Sequence, residues 1–334
     1  TFLEGVPVVA TDAPAKLGLD ELRGALDDLL TTVPAAEDRG RPRLWVDRVF
    51  AARGAGTVVT GMLTDGVLRV GDQVEVQPAG VGARIRALQN HHEEREELPP
   101  GTRCALNLVG VAHTQVQRGD VVVGPGQWHL ATVVDASLRV LDQLDHSVSR
   151  RGAYVAYLGA GEHPVRMRIL GPEALGPGRE GSVRLFLPRS LPLLPGDRFV
   201  LRESGRSETV GGGCVLDVDP RERASRARPD LSVDRVVRER GWVDSDELER
   251  LTGERREPDV GQWVVDPEAL QTTLAELREA LDESGPLGVE LSSLDDYQRA
   301  AAVLLDEATV VGGRLRVADA ADPLADHPFV ATLE

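Results

Sequence analysis

In this 334-residue chain the grouping that most invites chemistry is one of arginines. Arg198, Arg202 and Arg206 fall at or near one glycine-flanked hairpin, beside Arg166, Arg168 and Arg184 on strands of alternating pattern. A guanidinium fork matches two phosphate oxygens at once, and strand alternation gathers every second side chain on one face. The pattern points to contact with a phosphate backbone; the plain alternative is a solvated sheet face with local ion pairs. Other groupings say less. His91-His92-Glu93-Glu94 puts metal-ligand types at adjacent positions, where side chains diverge, and lacks a His-x-x-x-His or Cys partner, so it reads as a solvated loop. Gly56-Thr57-Val58-Val59-Thr60-Gly61 has the glycine spacing of a phosphate-binding loop, but Met62 and Leu63 stand where Lys and a hydroxyl are needed. Gly159-Ala160-Gly161 lacks the third glycine and the helix of a dinucleotide fingerprint. Cys104 and Cys214 sit among apolar strand residues and read as buried, reduced thiols. No catalytic residue, cofactor site or metal site emerges.

The elements that must position these arginines are strands. Val46 to Gly61 reads as strand, turn, strand, with Arg53-Gly54-Ala55-Gly56 supplying turn residues that permit positive φ. Leu68 to Val76, Gly101 to Leu108 and Gln117 to Val123 are further turn-bounded strands, so residues 43–126 are expected to form one β-barrel. Residues 127–218 repeat the pattern: Ala131 to Val140 and Tyr154 to Leu158 are apolar runs, and Val165 to Leu170 and Val183 to Leu187 alternate. After the polar connector Arg221 to Pro229 the period changes. Ser232–Arg240, Asp244–Leu251, Pro267–Leu281 and Ser292–Leu305 read as amphipathic helices, with Asp244 or Ser245 and Asp266 as N-caps. Hairpin-like pieces at 262–265 and 309–317 follow helices, which predicts two winged helices, over 228–266 and 267–319. Residues 320–334 would open a further unit. The fold class is thus mainly β with an α/β C-terminal part.

Charge divides the chain unevenly. It carries 38 basic against 54 acidic residues, a net charge of −16; residues 231 to 334 hold 10 Arg against 24 acidic residues, while residues 1 to 230 hold 28 against 30. Such a balance opposes nonspecific binding to nucleic acid or anionic membranes, so an RNA contact must come from a local arginine patch on the near-neutral part. The acidic tandem reads as a spacer or docking arm. No apolar run approaches the roughly 20 residues of a membrane helix, and no charged-then-apolar leader is visible. The expectation is a cytoplasmic, monomeric protein that binds no membrane.

The strings RVFAARGAGTVVTG, LRVGDQVEV, GTRCALNL and QRGDVVV, in this order, resemble the second-domain barrel of translational GTPases, the group of elongation factor Tu. More narrowly, Tyr157 to Arg166 and the triple glycine Gly211-Gly212-Gly213 ahead of Val215-Leu216-Asp217 resemble the selenocysteine-specific elongation factor family. The resemblance implies two elongation-factor-type barrels followed by tandem winged helices, and delivery of selenocysteinyl-tRNA to the ribosome at recoded stop codons. It makes residues 1–35, with a strand at Val6–Thr11 and a helix at Leu17–Leu30, the end of a Ras-like GTPase domain, and Thr1 the start of a fragment. GTP and Mg²⁺ would belong to the rest of that domain, so the chain by itself is no enzyme. An mRNA hairpin would be held by more distal winged helices. It also implies that Asp47, Arg48 and Arg103 line the aminoacyl pocket, and that the surface carrying Arg198, Arg202 and Arg206 lies against the tRNA backbone. The alternatives are another translational GTPase of the initiation or elongation group, and an acidic adaptor that binds proteins only.

Overall fold

Period-two alternation governs residues 43 to 217 in the computed structural model, which describes residues 5–52 and 56–318. In the strand Gly56–Thr64 burial alternates along its length, with Val59 and Leu63 inside and Thr60 and Met62 outside. Six such strands close a barrel: Gln73–Gln77, Val121–Val123, Arg43–Ala52, Gly56–Thr64, Arg103–Val109 and Val81–Asn90, the last pairing back to the first. Leu44, Val46, Val59, Leu63, Ile85, Leu106 and Leu108 fill it. A second closed barrel orders Leu130–Val140, Glu180–Pro192, Gly161–Leu170, Tyr154–Leu158, Arg198–Glu203 and Glu208–Asp217 around Leu138, Leu158, Leu185, Leu201 and Val215. The tip of the first hairpin, Arg53-Gly54-Ala55, lies outside the described residues, as does the unit expected at 320–334.

The barrels are locked together by residues that leave the first and enter the second. Trp45, on the Arg43–Ala52 strand, packs into the second barrel's core. Its ring lies where a Cβ on Gly159 would be, 2.1 Å away, and Gly159 has φ +55, so both space and backbone demand glycine. Arg43 is buried between the barrels. Its guanidinium holds Asp65 at 3.0 Å and Asp197 at 2.6 and 2.8 Å, donates to the Pro192 carbonyl at 2.9 Å, and stacks 4.7 Å from the Trp128 ring. Burial opposes its charge, but the two carboxylates outweigh that and raise its pKa.

The C-terminal part has the helix-and-wing pattern. Helix α2 (Val233–Arg240) is capped by the Ser232 side chain, α3 (Ser245–Thr252) by Asp244 and α4 (Pro267–Ser284) by Asp266, each accepting from backbone N–H groups one turn in. The first wing is not a local hairpin. Trp263–Val265 pairs instead with Trp242–Asp244, across α3. The second wing is the hairpin Ala308–Val311 with Arg314–Val317, joined by Val289–Glu290. The helix α5 spans only Asp296–Ala302, preceded by a 3-10 turn at Leu291–Ser293. Trp242 enters the second unit, donating to Thr273 at 3.1 Å and lying 5.5 Å from Tyr297, so the two units share an aromatic seam. Arg235 fixes α2 to the second barrel through Asp217 at 2.8 Å.

Residues 6–11 form no strand; among the described residues the only pairing near them is a single bridge between Asp12 and Leu17. An extended segment becomes a strand only beside another, and no described sheet lies next to it. Helix α1 (Leu19–Thr32) does form, but buries no residue: Leu22, Leu26, Leu29 and Leu30 are all exposed.

Candidate functional site

Asp47 is the extra residue of a β-bulge. Pairing with Gly56–Thr64 runs Val46 to Gly61 and then Arg48 to Thr60, so the register slips by one residue at Asp47. Leu44 and Val46 face the barrel interior, and strict alternation would send Arg48 inward after them. The slip turns Val49 inward instead and leaves Asp47 half-buried and Arg48 exposed at the outer face. A cation that would have been buried in an apolar core is thereby presented to solvent.

On the same face Arg103 points outward while its neighbour Cys104 points in. Arg103 Nη2 donates to Asp47 Oδ2 at 2.6 Å, and Thr60 Oγ1 donates to Asp47 Oδ1 at 2.5 Å. Both oxygens of Asp47 are therefore engaged, and Arg103 is held with half of its side chain still exposed. Arg48 has no hydrogen bond or ion pair among the described residues. Burial pushes the Cys104 thiol up to about 12, against the opposing charge of Arg103, so the inward thiol takes no part in surface chemistry.

Arg103 and Thr60 line an open cleft of about 460 Å³ whose far wall is Gln89, Asn90, His91 and His92. Asn90 donates to the Arg103 carbonyl at 2.8 Å. His91 and His92 are the loop expected from the sequence, but they are the two central residues of a tight hairpin turn, with φ of 51 and 67 where glycine or asparagine is usual. Sequence reasoning missed that this turn faces the arginine. The signal was the short spacing between Ala87–Asn90 and Glu93–Arg95, which left room for a two-residue turn only. Among the described residues no group of His, Cys, Asp and Glu could hold a metal ion, and no helix is long and apolar enough to cross a membrane.

The second set of arginines is not one cluster. Arg198 opens its strand and pairs with Cys214, whereas Arg202 and Arg206 lie toward the hairpin tip, roughly 13 Å along the strand. Arg202 donates to the Ser207 carbonyl at 2.8 Å, and Arg206 faces Glu203 at 3.6 Å. Arg184 is held bidentately by Asp135 at 2.6 and 2.8 Å and reaches the Glu222 carbonyl. Burial raises the pKa of that carboxyl while the Arg184 hydrogen bond opposes it. Arg166 stacks 5.2 Å over Phe186, and Arg168 and Arg198 have no partner among the described residues.

Of the two joined barrels, the first matches, over residues 56–123, elongation factor Tu domain 2. The second barrel is similar to the β-barrel domain of the selenocysteine-specific elongation factor, which matches residues 135–222. The selenocysteine-specific elongation factor of Desulfomicrobium baculatum is 33% identical over 217 residues, covering 65% of this chain and 34% of the relative. Elongation factor Tu 2 of Streptomyces avermitilis is 33% identical over 229 residues, covering 65% and 56%. The chain thus spans between about a third and somewhat over half of these relatives. A crystal structure of a bacterial selenocysteine-specific elongation factor superposes with a TM-score of 0.74 at 20% identity over 95% of this chain and 57% of the other, which shows a shared fold reaching into the winged helices.

Proposed function

We propose that this chain carries the aminoacyl-tRNA-binding body of a selenocysteine-specific elongation factor, acting in the cytoplasm to bring selenocysteinyl-tRNA to the ribosome. The observation that carries this reading is the asymmetry at the bulge. Asp47 engages Arg103 and Thr60, and Arg48 next to it has no partner among the described residues. The tRNA's amino acid would lie over this outer face, at the edge of the cleft that Arg103 and Thr60 line, with Asp47 and Arg48 outside the cleft.

A selenol is more acidic than a thiol and is largely selenolate at neutral pH, whereas serine, the amino acid of the competing tRNA, carries a neutral hydroxyl. Arg48 reads that charge. A hydrogen bond to a charged group contributes about 1.5–3 kcal/mol, and a neutral ligand leaves the cation underpaired. Asp47 fixes the Arg103 fork and tempers the repulsion between the two guanidiniums. The tRNA backbone would follow the outer face of the second barrel, where Arg198 is unpartnered and Arg202 and Arg206 keep only local contacts.

GTP and Mg²⁺ do not fit the residues present. Lys16 is the chain's one lysine, and no Gly-x-x-x-x-Gly-Lys-Ser/Thr loop exists to hold phosphates. Nucleotide chemistry is assigned to a GTPase domain of a full-length parent. The test joins a cognate GTPase domain to this chain and compares affinity for selenocysteinyl-tRNA and seryl-tRNA. A preference for the selenocysteinyl form that Arg103→Ala abolishes is expected; equal affinity for both tRNAs in the unsubstituted fusion contradicts the reading.

A further inference from the structure

We propose that His146 is a proton-operated switch that decides whether Arg206, at the tip of the hairpin of Arg198–Glu203 with Glu208–Asp217, is matched by a carboxylate or open to an anionic ligand. His146 lies in the loop that follows the strand Leu130–Val140, where Leu144 is buried in the core of the second barrel. The Leu141 N–H donates to the Val210 carbonyl at 3.0 Å, so the loop is held against the hairpin from its first residue. The imidazole of His146 spans the gap between the two. Its Nδ1 is 2.9 Å from Asp145 Oδ1, and its Nε2 is 3.1 Å from Glu203 Oε2 at the end of the strand Arg198–Glu203.

A neutral imidazole has one N–H to donate, and a carboxylate only accepts. Bonding at both nitrogens therefore requires the imidazolium, and the geometry by itself selects the protonated form. The surrounding charge agrees. The hydrogen bond to Asp145 raises the pKa of His146 and Glu203 adds to it, while burial and the charge of Arg206 oppose them. The same bond holds the Asp145 carboxyl below its usual range. Two more titratable groups stand across from Glu203 on the neighbouring strands: Tyr154, whose pKa burial raises further, so that its hydroxyl stays neutral, and Glu208.

Glu203 Oε2 is also the atom that Arg206 faces, with Nε 3.6 Å away, too far for a hydrogen bond. While the imidazolium holds that oxygen, the exposed Arg206 guanidinium keeps its donors open. Loss of the proton leaves His146 one N–H. Asp145, with 88% of its side chain exposed, can turn into water at little cost, whereas His146 and Glu203, each 17% exposed, stay together. The Glu203 carboxylate then lacks a counter-charge, and Arg206 is the other cation that the described residues bring within ion-pair distance of it. Deprotonation thus draws Arg206 onto Glu203 and withdraws it from any ligand, and protonation releases it. Because the folded pKa is raised, the stabilisation from the clasp is complete below about pH 6.5, where the unfolded chain is protonated too. It is lost as the pH rises through the folded value.

The experiment follows the intact chain by NMR, titrating the His146 ring and the Arg206 Nε–H together from about pH 5 to about pH 9. His146 is expected to titrate above the ordinary histidine value of about 6.5, with the Arg206 resonance moving in the same step. Glu203→Gln, which keeps the shape and removes the charge, is expected to lower the His146 titration and abolish the Arg206 step, and Arg206→Ala to raise the His146 titration. Sulfate, whose charge is constant over this range, is expected to move the Arg206 resonance at the acid end and several times less at the alkaline end. His146→Asn cannot titrate and checks the switch independently of Glu203: the Arg206 resonance should then hold still. His146 titrating at or below about 6.5, or unchanged by Glu203→Gln, overturns the proposal. So does an Arg206 resonance that ignores the His146 step, keeps it in His146→Asn, or answers sulfate equally at both ends.

Discussion

Arg43 and Arg48 lie five residues apart on one strand, and the contrast between their surroundings separates structure from function. At the barrel junction Arg43 is buried, two carboxylates and a carbonyl take up its donors, and two indole rings flank it. At the rim Arg48 is exposed, and the nearby carboxylate of Asp47 is occupied by Arg103 and Thr60. The same side chain is a rivet in one place and an open hand in the other. What decides is whether its donors are already matched. A buried guanidinium must be fully matched to be tolerated, and is then unavailable to any ligand.

The contrast can be broken most forcefully at the junction. Arg43→Ala leaves Asp197 without its cation and Asp65 with Arg39 alone, and is expected to cost about 3–5 kcal/mol of stability, read by denaturant unfolding. A loss below about 1 kcal/mol would mean that the junction is wetter and looser than its geometry indicates. Next in size is the pH response of His163, buried beside the contact between the barrels, where Gly161 and Gly119 leave no room for a side chain. Burial, helped by the charge of Arg189, pushes its imidazole down to about 4. The unfolded chain titrates near 6.5, so between these values the unfolded state binds more protons. Stability contributed by neutral His163 is therefore complete above about pH 6.5 and lost as the pH falls toward 4, by about 3 kcal/mol in all. His163→Gln should flatten that slope, and an unchanged slope would place the titration elsewhere.

The rim should respond far less. Asp47→Ala removes an exposed pair and a hydroxyl contact, and Arg103→Ala half of that; each is expected to shift stability by no more than about 1 kcal/mol. A larger loss in thermal unfolding would show that the rim, too, is structural.

Much of the two barrels could be read from alternation, whereas the junction between them could not. Val59 and Leu63, or Val165 and Met167, announce their inward faces by period two, and Asp244 and Asp266 announce helix starts by their position before an acidic or proline-led turn. The bulge at Asp47 could not be read that way. Counting in twos from Leu44 and Val46 sends Arg48 into the core, and only pairing with Gly61 and Thr60, more than ten residues away, reverses it. Nor could the sequence show that Arg184 is taken by Asp135, 49 residues distant, while Arg168 on the neighbouring strand has no partner among the described residues. Charge is legible in one dimension, whereas pairing is settled in three. The strand expected at residues 6–11 failed for a related reason: an extended pattern is local, and no strand lies beside it among the described residues.

The central claim, that an unmatched rim arginine reads the amino acid while a matched junction arginine only holds the fold, is tested most directly on Arg48. In the chain fused to a cognate GTPase domain, the ratio of affinities for selenocysteinyl-tRNA and seryl-tRNA is measured for the unsubstituted protein and for Arg48→Ala, alongside thermal unfolding. The account predicts that the ratio falls at least tenfold while the unfolding midpoint stays within a few degrees. An Arg48→Ala variant that keeps the full preference for selenocysteinyl-tRNA would contradict it.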